Sequence, residues 1–319
     1  MMRRILTSGL FLACVALAAA QGAADERSLA IGFLPTGSDF HTASAQVERL
    51  RSALLAQTRV NAALADAGYD GIVLSPCDGP RDMVQRMDQG EFEVALATAV
   101  VYGRQRGPYP EPILQSRLPG DFQPPGHGVM RRGVVFVGPA CALFERADVT
   151  DADVRALLER ARLAVPTADS AAGYIYPRLA LREAPWRVEQ PGGFLFCGND
   201  DEVVKHVVSG LVEVGACREG APEHILARSV TGAPDERPYY RILFRTDPFP
   251  TDPILLRKEL LPARSALGRE LKVALRAYYN DGASELPTGW PMGLGVEDAS
   301  RRDYEALGRA LGALADSKP

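Results

Sequence analysis

Along most of its length the chain alternates short apolar runs with segments whose apolar residues recur at helical spacing, and that alternation leaves few folds open. Residues 29–34 form an apolar run that stops at Pro35, and Val47, Leu50, Leu54 and Leu64 then recur at helical spacing up to Gly68. A strand is expected at 72–74, a helix opened by Gly79-Pro80 and closed by Gly90, and a third strand at 92–96. Proline suits the first turn of a helix, and glycine the position just past its end. Strands alternating with helices predict βαβ units, an α/β fold and sheets in which parallel strands predominate.

The rhythm lapses between 107 and 126, where Pro108, Pro110, Pro112, Pro119, Pro124 and Pro125 disfavour regular structure and suggest a crossover between two lobes. It resumes with a longer strand at 129–137. Thr150 and Asp153 resemble a capping box, and a helix bearing Val154, Leu157 and Leu158 follows. A strand at 162–165 leads to Ser170, placed to cap a helix that Pro177 distorts or shortens. A further βαβ unit covers 194–216, strands follow at 240–244 and 254–256, and helices at about 263–280 and 300–315 end the chain. The length of 319 residues suits two domains. The expected division is one lobe from 28–125 and 245–319 and another from 126–244.

Met1-Met2-Arg3-Arg4, the apolar residues 5–18 and Ala18-Ala19-Ala20 match the three parts of a secretory signal peptide, with cleavage after Ala20. Export to the periplasm is therefore expected. Cleavage removes two arginines and no acid, making the formal charge of −4 two units more negative. That balance lacks the basic footprint of a nucleic-acid binder. Cys77, Cys141, Cys197 and Cys217 follow the leader, an even number that permits two disulfides. Cys197 and Cys217 end consecutive strands joined by one helix. If those strands lie side by side, about 4.8 Å apart, the two cysteines form a disulfide beside the cleft.

Catalytic signatures are sparse. No nucleophile elbow, phosphate-binding loop or dinucleotide fingerprint follows any strand, and the four histidines have no metal-ligand spacing. No metal, cofactor or enzymatic activity is expected. Tyr239-Tyr240 and Tyr278-Tyr279 read as core and surface residues rather than iron ligands. The informative segment is Ala164 through Tyr174, a strand followed by a capped helix start with the small residues Ala171, Ala172 and Gly173 after Ser170. Such a start either presents free backbone N–H groups to an anion or is simply capped and packed.

Five pieces, in order, resemble the phosphonate/phosphite-type periplasmic binding proteins of ABC transporters. They are residues 31–35 (IGFLP), 83–96 (MVQRMDQGEFEVAL), 170–174 with Pro177, 198–201 leading into VVSGLVEVGAC, and 250–258. The resemblance implies a type II periplasmic binding protein, two α/β lobes enclosing a small anion in their cleft, monomeric and without a cofactor. It implies a cleft lined by Ser170, Ala171, Ala172, Gly173 and Tyr174, with Asn199 from the same lobe and Ala97 and Thr98 from the opposite one. The expected function is delivery of a phosphonate-, phosphite- or phosphate-like ligand to an inner-membrane ABC permease. The alternatives are a receptor of the same fold for a membrane sensor kinase, a non-phosphorus ligand, or an exported enzyme. The family has hydroxyl residues where this chain has Ala171 and Ala172, His where it has Asn199, and aromatic residues near Pro80 and Ala97. Each lost hydroxyl removes roughly 1.5–3 kcal/mol of hydrogen bonding to a charged group, which Arg218 or Arg131 could replace.

Overall fold

The computed structural model describes residues 28–35, 40–118, 120–183, 185–188, 191–229, 239–281 and 295–315; the leader-like residues 1–20 lie outside them. The chain opens with β1 (Ser28–Phe33), α1 (Phe40–Leu55), α2 (Thr58–Asp66), β2 (Gly71–Pro76), α3 (Pro80–Asp88), β3 (Val94–Leu96), α4 (Ala99–Arg104) and β4 (Pro112–Ser116). It crosses through β5 (Met130–Arg131) into β6 (Gly133–Val137), α5 (Asp151–Arg160) and β7 (Leu163–Val165). A wide helical turn, Ala171–Ile175, then runs into α6 (Tyr176–Arg182). Next come β8 (Phe194–Phe196), α7 (Asp200–Val208), β9 (Val214–Arg218), α8 (Ala221–Ser229) and β10 (Arg241–Arg245). The return runs through β11 (Phe249–Pro250) to β12 (Pro253–Leu256), α9 (Ala266–Asp281), β13 (Val296–Asp298) and α10 (Arg301–Ala315).

Local chemistry accounts for most of these boundaries. Gly68 and Gly90 take positive φ values of 82° and 71° just past α2 and α3, where a side chain would be strained. Thr150 and Asp153 complete their capping box: the Asp153 N–H donates to Thr150 Oγ1 at 3.3 Å and the Thr150 N–H to Asp153 Oδ2 at 3.0 Å. Three expectations change. The helical pattern before Gly68 is split into α1 and α2. The proline-rich stretch contains a strand, β4, with Pro112 at its first residue, where a missing donor costs least. The strand expected at 129–137 divides at Arg132, its first part leaving for a different partner.

The first lobe is built on a sheet ordered β13-β4-β12-β3-β1-β2 and the second on one ordered β10-β6-β9-β7-β8. Between them β5 pairs antiparallel with β11, Arg131 opposite Phe249, so both crossings share one two-stranded ribbon. Among the described residues parallel pairing is confined to β2-β1-β3 and β8-β7-β9, so the sheets are mixed and parallel strands do not predominate as expected. The reason lies in the crossings. Strands β6 and β12 come straight off the ribbon and enter their sheets where β9 and β3 end, with Gly133 beside Arg218 and Ile254 beside Leu96. Entry from that end makes them antiparallel to their neighbours. Each sheet is packed on both faces: Leu29 and Ile31 against Leu54 and Leu271, Met83 against Phe92, Val165 against Leu157, and Phe136 against Val204.

The sheet order overturns the expected disulfide. Strand β7 lies between β8 and β9 and pairs with both, so the residues ending the outer strands are two spacings apart, about 9–10 Å, beyond a disulfide's reach. Cys77, Cys141, Cys197 and Cys217 are all free thiols. The helical crossover after β8 cannot lay its next strand beside β8 on the side β7 occupies, and β9 falls beyond it.

Candidate functional site

The turn after β7 lies beyond the carboxyl ends of the parallel strands, where α/β sheets leave room for ligands. Ser170 caps it, its Oγ accepting from the Gly173 N–H at 3.0 Å. The Ser170 carbonyl accepts from both the Tyr174 and Ile175 N–H groups, at 3.1 and 3.0 Å, and the Ala171 carbonyl from the Tyr176 N–H, giving a widened helical turn. Pro177 explains the widening, since it cannot donate to the Gly173 carbonyl and an ordinary α-helical start would leave that group without its partner. Gly173 is required by packing: a Cβ there would lie 2.3 Å from Pro166 Cδ and 3.0 Å from the Ala216 carbonyl oxygen.

Ala171 is half-buried, whereas Ala172 and Gly173 are buried. Ala172 belongs to an apolar cluster spanning both lobes, with Ala99 and Val100 of α4, Tyr176, Phe249 of the ribbon and Tyr304 of α10. Tyr176 stacks on Phe249 with ring centroids 4.2 Å apart. Tyr174 turns to the edge of its own sheet, edge-on to Phe194 at 5.0 Å, beside Phe196, with Arg178 donating to its hydroxyl at 3.2 Å. Thr98 caps α4, its Oγ1 accepting from the Val101 N–H at 3.3 Å, and Ala97 is fully buried, donating to the Pro253 carbonyl at 3.2 Å. Asn199 is exposed and caps α7 through the Glu202 N–H at 2.8 Å. Its loop runs beside that of the turn, with Cys197 and Gly198 donating to the Val165 and Pro166 carbonyls, both at 2.8 Å. The turn and α4 therefore meet across the lobes, Asn199 flanks the turn from the next strand, and Tyr174 also packs against the inter-lobe cluster that holds Ala99 and Val100. A further link, from Arg104 at the end of α4 to Asp169 just before Ser170, also crosses the lobes.

Around this junction lies a charged cluster that sequence reasoning only half found. Arg131, in the ribbon, donates from Nε and Nη2 to the two Asp121 oxygens at 2.9 and 3.0 Å, and from Nη1 to Asp252 Oδ2 at 3.2 Å. Burial opposes the Arg131 charge, but these two carboxylates outweigh it and raise its pKa above the usual arginine range. The other Asp252 oxygen accepts from the Ala99 N–H at 3.0 Å, capping α4 from the return strand. Arg218, at the end of β9, lies 3.9 Å from Asp200 in the first turn of α7. Burial and the nearby Arg131 push Arg218 down, while burial pushes Asp200 up against the pull of Arg218 and Arg131. Asp121, Asp169, Asp200 and Asp252 were not foreseen as site residues. Asp252 precedes a proline, Asp169 and Asp200 stand at helix starts and Asp121 lies in the proline-rich stretch, signals that acids satisfy for many reasons.

Two cavities, of about 670 and 320 Å³, lie elsewhere in the first lobe, beside α2 and between α4 and α10, and neither is lined by the Ser170 turn.

Comparison with known proteins now bears on identity. No curated protein sequence matches the chain. Among solved structures, a Xanthomonas citri protein bound to ATP is similar over 91% of this chain and 98% of its own, at 19% identity and a TM-score of 0.59. PhnD1 from Prochlorococcus marinus in complex with methylphosphonate covers 91% of this chain and 99% of its own, at 14% identity and a TM-score of 0.58. The binding-protein component of a Pseudomonas aeruginosa ABC phosphonate transporter covers 90% and 86%, at 12% identity and a TM-score of 0.54. At such identities these likenesses establish the two-lobed fold alone. The family model for the phosphonate periplasmic substrate-binding protein of ABC transporters matches residues 41–304. Its members bind solutes rather than transform them, and this chain belongs to that family of periplasmic substrate-binding proteins.

Proposed function

We propose that the chain is an exported receptor that closes its two lobes on a small anion and delivers it to an inner-membrane ABC permease. The lobes are residues 28–125 with 245–319, and 126–244; residues 1–20 direct export. Ser170, Ala171, Ala172, Gly173, Tyr174 and Asn199 form the wall on one side of the cleft, and Ala97 and Thr98 the other. The observation that carries this reading is the capped turn at Ser170, which lies at the carboxyl ends of parallel strands and directly faces α4 of the other lobe. A thermal-shift screen tests it. Methylphosphonate, phosphite, phosphate or ATP at about 100 times its dissociation constant should stabilise the protein by roughly 2.7 kcal/mol.

One observation favours a second reading, a ligand without phosphorus. Ala172 is spent on an apolar contact between lobes, and Arg131 is held by two carboxylates, so a dianionic phosphonate meets fewer donors than the family pattern supplies. Stabilisation by carboxylates or sulfonates in the same screen, with none from the phosphorus compounds, would select it.

A further inference from the structure

The sequence named two arginines as possible substitutes for the missing hydroxyls, and the structure separates them. Arg131 is clasped by Asp121 and Asp252, three of its nitrogens already donating to carboxylates, and Arg104 is committed to Asp169. Arg218 is differently placed. It ends β9 directly opposite Gly133, and a Cβ on Gly133 would lie 2.1 Å from the Ala172 carbonyl oxygen, so Arg218 is one strand away from the turn. Along β9, Val214 and Ala216 face the core beneath the turn and Cys217 faces the opposite core; alternation puts Arg218 on the turn's side. Its side chain is 15% exposed, it donates from Nη1 to the Glu219 carbonyl at 3.3 Å, and Asp200 holds it from the start of α7. Arg218 thus stands at the carboxyl end of β9, one strand from the Ser170 turn, with its guanidinium beside Asp200, which follows the Asn199 cap.

We propose that Arg218 contacts the ligand, donating charge-assisted hydrogen bonds to a small oxyanion in place of the hydroxyls absent at Ala171 and Ala172, with Asp200 as its positioning residue. This rests on the anion-receptor reading above. A guanidinium fork suits the oxygens of a phosphonate, phosphate or carboxylate group, and a mostly buried one acts with little competition from water. An oxyanion here also offsets the mutual repulsion of Arg218 and Arg131, which burial sharpens.

The test is calorimetric titration of the mature protein with methylphosphonate and with inorganic phosphate, in wild type, Arg218→Lys and Arg218→Gln. The Gln variant should bind roughly 10- to 100-fold more weakly, the loss of a charged hydrogen-bonding partner. The Lys variant should fall between, keeping charge without the fork. If Arg218→Gln fails to fold because Asp200 loses its buried partner, the double variant Arg218→Gln/Asp200→Asn removes both charges together and should show the same weakening. A folded Gln or double variant that binds like wild type overturns the assignment while leaving the anion receptor standing. A wild type that binds neither probe overturns the reading as a receptor for phosphorus oxyanions, and this assignment with it.

Discussion

At the scale of single residues, Gly173 shows how one observation changes a role. Its small size suggests room for a ligand, yet the structure fills the space with Pro166 and the Ala216 carbonyl. Gly173→Ala should therefore cost about 1–3 kcal/mol through overpacking, read as a lower urea midpoint without any ligand present. Ala171→Ser is the cleaner probe of the proposed site. Position 171 is half-buried at the turn's start, and a restored hydroxyl there should strengthen methylphosphonate binding about tenfold in a titration, the worth of one hydrogen bond to a charged group. Asp298 carries a pH signature. It accepts from Arg276 and Lys272, both at 2.6 Å, and these bonds hold its pKa below the usual carboxylate range. A depressed folded pKa adds stability above the unfolded value, near 3.9, that is lost as pH falls through the folded value. Because the carboxylate is mostly exposed, Asp298→Asn should lower the melting temperature only slightly at pH 6, and the difference should vanish in acid.

At the scale of elements, capping and pairing were legible to different degrees. The Thr150 box could be read because its partners are three residues apart, and Thr150→Ala should cost about 1 kcal/mol in a denaturant titration. The order β8-β7-β9 could not be read, because each βαβ unit constrains only handedness and nearness, not which side of an existing strand the next one takes. Its consequence is direct. Alkylation of the unreduced protein in urea should modify all four of Cys77, Cys141, Cys197 and Cys217. Cys197 and Cys217 both left unmodified, and found linked to each other, would contradict the strand order. The Ser170 turn lies between these cases: its cap was legible, its widening followed from Pro177, and its burial against α4 was not visible at all.

At the scale of the whole molecule, the contacts that join the two lobes among the described residues include the β5–β11 ribbon with the buried Arg131 bonds to Asp121 and Asp252, the apolar cluster around Ala172, and the Arg104–Asp169 ion pair. The ion pair is the exposed one, with side chains 40% and 35% accessible, and exposed pairs contribute under about 1 kcal/mol and weaken with salt. Even that is enough to shift a balance between closed and open lobes about fivefold. Asp169→Asn should thus raise the radius of gyration in small-angle scattering at low salt, and added salt should move the wild type towards the variant. Identical scattering from both proteins would mean that the ribbon and the apolar cluster hold the lobes by themselves.

What the sequence determined alone is what neighbours within a turn or two decide: strand and helix placement, the caps at Thr150 and Ser170, the glycine stops, and the order of pieces that marks the family. The signs of the charges at Arg131 and Arg218 were equally plain. Tertiary structure decided what those charges meet. Arg131 finds Asp252, 121 residues away, Ala172 finds Ala99 from the other lobe, and Arg218 meets Asp200 at the start of α7. Periodicity and capping are local, and a sequence displays them directly. Compensation of a buried charge and the filling of a contact are settled only when distant elements pack, because desolvation and Coulomb attraction depend on distances that the chain's order does not contain.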